Sequence, residues 1–287
     1  MKSKNYLLLI TFFIVILMIS SCSLKTDDLE NATIYTTVYP VNYLTKYIYG
    51  DYGKITSIYP SNTNVDKYKL TKKQIKEYSK GDLFIYNGLT NEKQIAKNLV
   101  NRNNKLLIID VSNGLSIEYD TIELWLSPNN FLMLSKNIKN NLEEYLKSKI
   151  IIEHINKKYD DLQEKISVLD AMLHTIGNNA KKNNKNTLIV SNNLFNFLDN
   201  YGFNVISLDP DNDIKENKLT SIKSSFKSGK YAHLLIADID KENKDFNELT
   251  KDINATKIYV NTLTFTLEED YFNIMTEFIE NIRTITN

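Results

Sequence analysis

The chain has 287 residues, 42% of them apolar, with 35 basic side chains set against 35 acidic ones. That is a globular composition with ample material for buried cores, and it excludes a polyanion binder built on bulk positive charge. One cysteine and three histidines leave no disulfide framework and no Cys/His zinc cluster, and having only Arg102 and Arg283 as arginines weakens bidentate phosphate recognition.

In chain order, Lys2 and Lys4 precede an apolar run, Leu7 to Ile19, whose 13 residues fall short of a bilayer span of about 20. A charged start and a short apolar middle predict a secretory signal. The run ends Ile19-Ser20-Ser21-Cys22, which resembles a bacterial lipobox. The resemblance implies cleavage before Cys22 and acylation of its thiol, with two or more acyl chains giving stable anchorage. Removal of residues 1–21 leaves 287 − 21 = 266 residues, with 33 basic and 35 acidic side chains, a net charge of −2. Residues 22–32 then read as a lipidated, polar tether, and the working part lies on the extracytoplasmic face of the cell membrane.

Thr33 to Tyr39 is β-branched and aromatic, a strand that Pro40 stops; Val41 to Ile48 has helical spacing and ends at Gly50. Further strands are expected at Lys54–Tyr59, Asp82–Tyr86 and Leu106–Asp110, with helices at Thr71–Ser79 and Glu92–Val100 between them. Ser127-Pro128 opens a helix, serine as N-cap and proline at its first position, running to about Lys147. Ile155, Tyr159, Leu162, Ile166, Leu169, Leu173 and Ile176 follow at alternating spacings of 4 and 3, and Gly177-Asn178-Asn179 reads as the helix stop. A stripe of barely three heptads fits an intramolecular helix laid across two lobes better than a coiled-coil partner surface.

A second alternation has strands at Thr187–Val190, Asn204–Leu208, His233–Ala237 and Lys257–Val260. Helices are expected at Leu194–Tyr201, Lys215–Lys227, Asn243–Ile253 and Glu268–Thr284. The predicted fold class is α/β: two parallel-sheet lobes linked by one long helix, with a ligand cleft between them. The expected divisions are signal peptide 1–21, tether 22–32, N-terminal lobe 33–147, linking helix 148–180 and C-terminal lobe 181–287.

Several segments carry a family resemblance. They are Thr36-Thr37-Val38-Tyr39-Pro40, Tyr59-Pro60 through Tyr68 and Thr71, Asp82-Leu83-Phe84-Ile85-Tyr86-Asn87-Gly88-Leu89, Trp125-Leu126-Ser127-Pro128-Asn129, and Tyr201-Gly202-Phe203. In order and interval, from about Thr33 to the C-terminus, they resemble the metal-binding lipoproteins of bacterial zinc and manganese ABC transporters, including the adhesin lipoproteins. The resemblance implies two lobes, a long linking helix, a divalent cation as transported ligand and a membrane permease as partner. It implies no enzymatic activity, no nucleic acid, and a monomer.

That family holds its metal with histidines and carboxylates from both lobes. At the matching positions this chain has Asp66, Glu123, Asn192 (a one-residue gap would move the match to Ser191 or Asn193) and Asn261. Asp238, at the end of a strand where the family often has an acid, is a possible additional ligand, or it caps the loop through Asp240. His154, His174 and His233 fall at none of these positions, and the histidine-rich loop of zinc members is missing. Two carboxylates with two amide carbonyls make an oxygen-only set, which suits Mn²⁺, Mg²⁺ or Ca²⁺ better than zinc.

The alternative is the same scaffold without metal, acting as an adhesin or binding an organic ligand. Ten of the 18 tyrosines, between Tyr35 and Tyr86, could supply aromatic surface for it, although Tyr35 and Tyr39 belong to a strand and Tyr43 and Tyr47 lie i,i+4 on a helix, a spacing that usually means packing. Catalysis has little support: there is no G-x-G-x-x-G, Walker A or G-x-S-x-G pattern, and Cys22 is committed to lipid.

Overall fold

The computed structural model describes residues 29–60, 63, 65, 68–115, 123–212, 214–264 and 269–286. The signal, Cys22 and Asp66 lie outside them. Two four-stranded parallel sheets form the frame. The first contains β1 (Ala32–Thr36), β2 (Gly53–Ser57), β3 (Leu83–Tyr86) and β4 (Leu107–Asp110) in the order β2-β1-β3-β4. The central strand β3, Leu-Phe-Ile-Tyr, is buried at every position, as a strand covered on both faces must be.

β1 ends three residues short of the strand expected from composition. Tyr39 and Pro40 instead open helix α1 (Tyr39–Tyr49), where proline's fixed φ and missing N–H cost nothing in the first turn. Gly50, at φ +63°, closes that helix. Helices α2 (Lys72–Tyr78) and α3 (Glu92–Arg102) complete the crossovers, α2 opening on a capping box between Thr71 and Gln74.

Ser127 caps α4 (Pro128–Tyr145), and Ser148 caps α5 (Lys149–Lys182), a helix of 34 residues spanning about 50 Å. Ile155, Leu162, Ile166, Leu169, Leu173 and Ile176 are buried along its inner stripe, and Tyr159 is half-buried. The expected stop at Gly177 is overturned: Gly177 is inside α5, which runs on to Lys182 with Asn183 as its C-cap. A Cβ built at Gly177 would stand 1.9 Å from the carbonyl oxygen of Tyr201. The glycine therefore permits close approach of the second lobe's backbone instead of ending the helix.

The second sheet repeats the first: β5 (Thr187–Val190), β6 (Asn204–Ser207), β7 (His233–Ala237) and β8 (Thr256–Val260), in the order β6-β5-β7-β8. The helix expected at Leu194–Tyr201 is a 3-10 helix, Asn193–Tyr201, capped by Asn192 and ended by Gly202 at φ +89°. Helices α6 (Glu216–Lys227), α7 (Lys244–Thr250) and α8 (Tyr271–Thr286) follow. One apolar core runs from Ile34 and Phe84 in the first sheet through the α5 stripe to Leu188, Val190 and Phe278 in the second lobe. A smaller core under the other face of the second sheet includes Ile189, Ile222, Phe226 and Phe246.

Candidate metal site at the seam of the two lobes

In both sheets the chain direction of crossover reverses between two central strands, β1 and β3 in one and β5 and β7 in the other. The carboxyl ends beside such a reversal form a crevice with free backbone groups, the usual ligand position in open α/β sheets. Thr37 and Asn87 lie there in the first lobe; Ser191, Asn192 and Asp238 lie there in the second.

Asp66, the first expected ligand, lies outside the described residues, but the far end of its loop is fixed. Gln74 Nε2 donates to the Tyr68 hydroxyl at 2.8 Å, and Thr71 caps α2. Glu123 directly precedes a buried 3-10 turn, Leu124–Leu126. The Trp125 indole N–H donates across the seam to the Thr262 carbonyl at 2.8 Å, and the Tyr271 hydroxyl donates to the Trp125 carbonyl at 2.9 Å. Asn261 directly precedes Thr262, so the segments carrying Glu123 and Asn261 are tied by one buried hydrogen bond. Glu123 also borders a cleft of about 620 Å³ lined as well by Asp170 and His174 of α5 and by Tyr201.

The second-lobe amides are held in defined orientations. Asn192 Oδ1 accepts from Leu194 N–H at 3.0 Å, and its Nδ2 faces Asp240 Oδ1 at 3.4 Å. Asn261 Oδ1 accepts from Leu263 N–H at 2.8 Å, and its Nδ2 donates to Glu269 Oε2 at 3.1 Å. Asp238 Oδ1 accepts both the N–H and the hydroxyl of Thr262, at 3.1 and 2.5 Å. These bonds surround Leu263, which is fully buried at φ +63°, a left-handed conformation that a branched side chain adopts only where its surroundings impose it.

Two acids that composition did not single out stand beside the amides. Asp240 is buried and accepts from Ser191 Oγ at 2.7 Å. Burial pushes its carboxyl above the usual range, opposed by the bonds from Ser191 and Asn192. Glu269 is exposed. In the sequence it reads as first-turn charge of a helix expected from Glu268, whereas α8 begins at Tyr271 and leaves Glu269 on the approach to it. Only the fold reveals either acid's contact with an amide.

In the first lobe, Glu92 is fully buried and accepts from Asn87 N–H at 2.7 Å. Burial pushes its carboxyl up to about 7, although the Thr37 and Tyr59 hydroxyls beside it favour the charged form. Among the described residues, no group of three or more His, Cys, Asp and Glu side chains is placed to hold a metal ion. His154 packs edge-on to Tyr52, His174 lies 3.7 Å from Asp170 within α5, and His233 opens β7.

The tyrosines of α1 hold the molecule together. Tyr39, Tyr43 and Tyr47 lie at i, i+4 and i+8 on one face. Tyr39 donates to the Glu269 carbonyl, Tyr43 to Asp270 Oδ2 at 2.9 Å, and Tyr47 to Asp161 of α5 at 2.5 Å. Burial first, then the nearby acids, push the Tyr39 and Tyr43 hydroxyls well above their ordinary range.

Two parallel α/β lobes with matching strand orders, bridged by one continuous helix and meeting where both sheets reverse, define a substrate-binding protein of the linking-helix kind. The chain belongs to the ZnuA family, periplasmic component A of the zinc-uptake complex, whose model matches residues 34–285. It is 24% identical to the high-affinity zinc uptake system protein ZnuA of Bacillus subtilis (strain 168), over 298 aligned positions covering 92% of this chain and 89% of that protein. The metal-dependent lipoprotein YcdH of Bacillus subtilis shares the fold at a TM-score of 0.71 and 23% identity, over 88% of this chain and 98% of that one. The zinc-bound ZnuA-like domain of Streptococcus pneumoniae AdcA does so at 0.72 and 21%, over 89% and 99%. Among the described residues no helix is long and apolar enough to cross a membrane.

Proposed function

We propose that this chain is a lipid-anchored, extracytoplasmic substrate-binding protein that captures a divalent cation between its lobes and presents it to an ABC permease. Membership in a family of uptake components supports the task, and the Cys22 signature supports the anchor. The observation that carries the site is the Trp125–Thr262 hydrogen bond, because it draws the segments of Glu123 and Asn261 to one seam. Asp66, Glu123, Asn192 and Asn261 frame the cargo, and Asp238 braces the turn behind Asn261. With no imidazole at these positions, the donors are oxygen, and the favoured cargo is a hard cation, Mn²⁺ before Zn²⁺.

The test uses the purified mature protein: metal content as isolated, then titration with Mn²⁺, Zn²⁺ and Ca²⁺. Trp125, the chain's one tryptophan, is buried at the seam and reports binding by its emission. A ligand at 100 times its Kd also raises stability by about 2.7 kcal/mol. No bound metal, with no change in emission or thermal midpoint for any of the three ions, refutes the proposal.

A further inference from the structure

One carboxyl in the first lobe gathers the strand ends that frame the crevice. Glu92, the first residue of α3, is fully buried, and its Oε2 accepts from Asn87 N–H, just past β3, at 2.7 Å. Its other oxygen, Oε1, and the Thr37 hydroxyl just past β1 are both buried without a hydrogen-bond partner of ordinary geometry. The Thr37 and Tyr59 hydroxyls stand beside the carboxyl, Tyr59 lying past the end of β2. Among the described residues, Asp110 at the end of β4 is the one other charged group acting on it, and it opposes ionisation. Asp110 is itself held by Gly88 N–H and by the N–H and hydroxyl of Ser112. A half-satisfied polar network of this kind is costly to the fold alone.

From Tyr59 the chain leads directly into the loop that carries Asp66. Tyr59 N–H donates to Ser57 Oγ at 3.1 Å, and Ser57 Oγ donates to the Thr37 carbonyl at 2.7 Å, which laces the start of the loop to the end of β1. The Tyr59 ring meets Tyr68 edge-on at 5.5 Å between centroids, and the Tyr68 hydroxyl accepts from Gln74 at 2.8 Å. Both ends of the loop therefore meet at Tyr59, whose hydroxyl stands beside Glu92. An ionised carboxylate only accepts, so it suits Asn87 N–H and both hydroxyls together. A protonated carboxyl donates through one oxygen, which turns a hydroxyl round or sheds it.

We infer that Glu92 is the positioning residue of the first lobe's cargo loop and that its carboxylate form is the one competent to capture the ion, an inference that rests on the cation-binding reading above. Carboxylates and amides of ordinary behaviour do not change charge between about pH 6 and 8, as imidazoles do. Proton dependence of capture in that range then comes from a group other than the donors assigned to the cargo. Burial brings the Glu92 carboxyl up to about 7, inside the range.

The experiment is calorimetric titration of the mature protein with Mn²⁺ at about pH 6, 7 and 8, comparing wild type, Glu92→Gln and Tyr59→Phe. Wild-type affinity should fall about tenfold from pH 8 to pH 6 as the carboxylate is protonated. Glu92→Gln keeps an acceptor for Asn87 N–H but carries no charge. It should bind about tenfold more weakly than wild type at pH 8, with no further change toward pH 6. Tyr59→Phe keeps the ring contact with Tyr68 and removes a hydroxyl that favours the charged form, so it should move the wild-type profile to higher pH. Equal wild-type affinity at pH 6 and 8, or an undiminished slope in Glu92→Gln, overturns the role of Glu92 and leaves the cation-binding reading standing. If wild type binds none of Mn²⁺, Zn²⁺ and Ca²⁺ at any of these pH values, both fall. Should Glu92→Gln fail to fold, Tyr59→Phe carries the test, and a profile superimposed on that of wild type overturns the inference.

Discussion

Gly177→Ala sets two effects against each other. In an isolated helix the change is stabilising by about 1 kcal/mol, because glycine loses more backbone freedom. Here the new methyl would stand 1.9 Å from Tyr201 O and 2.9 Å from Tyr201 C, where ordinary contact begins at 3.4 Å. The backbones must part by 3.4 − 1.9 = 1.5 Å. Tyr201 cannot simply withdraw, since its hydroxyl donates to Asp170 Oδ1 of the same helix at 2.7 Å. Overpacking against fixed atoms costs about 1–3 kcal/mol, here at the upper end. The net expectation is a loss of about 2 kcal/mol, and a fall in Tm of roughly 4–8 °C for a chain this size. Thermal melts followed by circular dichroism, with urea midpoints beside them, measure it. A variant as stable as wild type would refute the close approach of α5 to Tyr201 and return Gly177 to the role of a helix stop.

Glu92→Gln tests the buried carboxyl. A folded-state value of about 7 against an ordinary 4.5 means the folded protein binds that proton more tightly. Wild-type stability is then full below about 4.5 and lost as pH rises through about 7, by about 3.5 kcal/mol at most. Urea midpoints across that window should slope for wild type and flatten for Glu92→Gln; parallel slopes contradict the assignment. Trp125→Phe removes the donor to Thr262 O and leaves a buried carbonyl short of its partner, costing about 1–3 kcal/mol before lost packing is counted, and an unchanged Tm would remove the seam bond from the account. Cys22→Ser should shift the protein from the membrane fraction to the soluble one in the producing cell; retention on the membrane argues against a thioether lipid anchor.

Most of the frame was legible because periodicity is a local property. The edges of β5 and β7 fall where composition put them, and the stripe from Ile155 to Ile176 faces the core as its spacing requires. The misreadings came where a distant segment decides. Gly177 has the chemistry of a cap, and only Tyr201, 24 residues on, explains why it sits inside the helix. The i,i+4 spacing of Tyr43 and Tyr47 was legible as packing, but not their partners: with Tyr39, their hydroxyls donate to Glu269, Asp270 and Asp161. The site was the least legible part. Motif matching names positions, but which atom of Asn261 meets Leu263 N–H, and which acid takes its NH₂, depends on the fold of the turn ahead of α8.

These contacts also bear on how cargo is taken up. The core is continuous from the first sheet through α5 into the second lobe. The lobes are further joined by Trp125 to Thr262, Tyr39 to Glu269, Tyr43 to Asp270, and the Phe131–Tyr271 stack at 3.7 Å between ring centroids. Parting the lobes would break all of them at once. At about 1 kcal/mol for each hydrogen bond, with the exposed apolar surface added, such an opening is disfavoured by several kcal/mol. Capture by hinge closure therefore does not suit this molecule. Exchange has to occur with the lobes together, through side chains and loops at the rim.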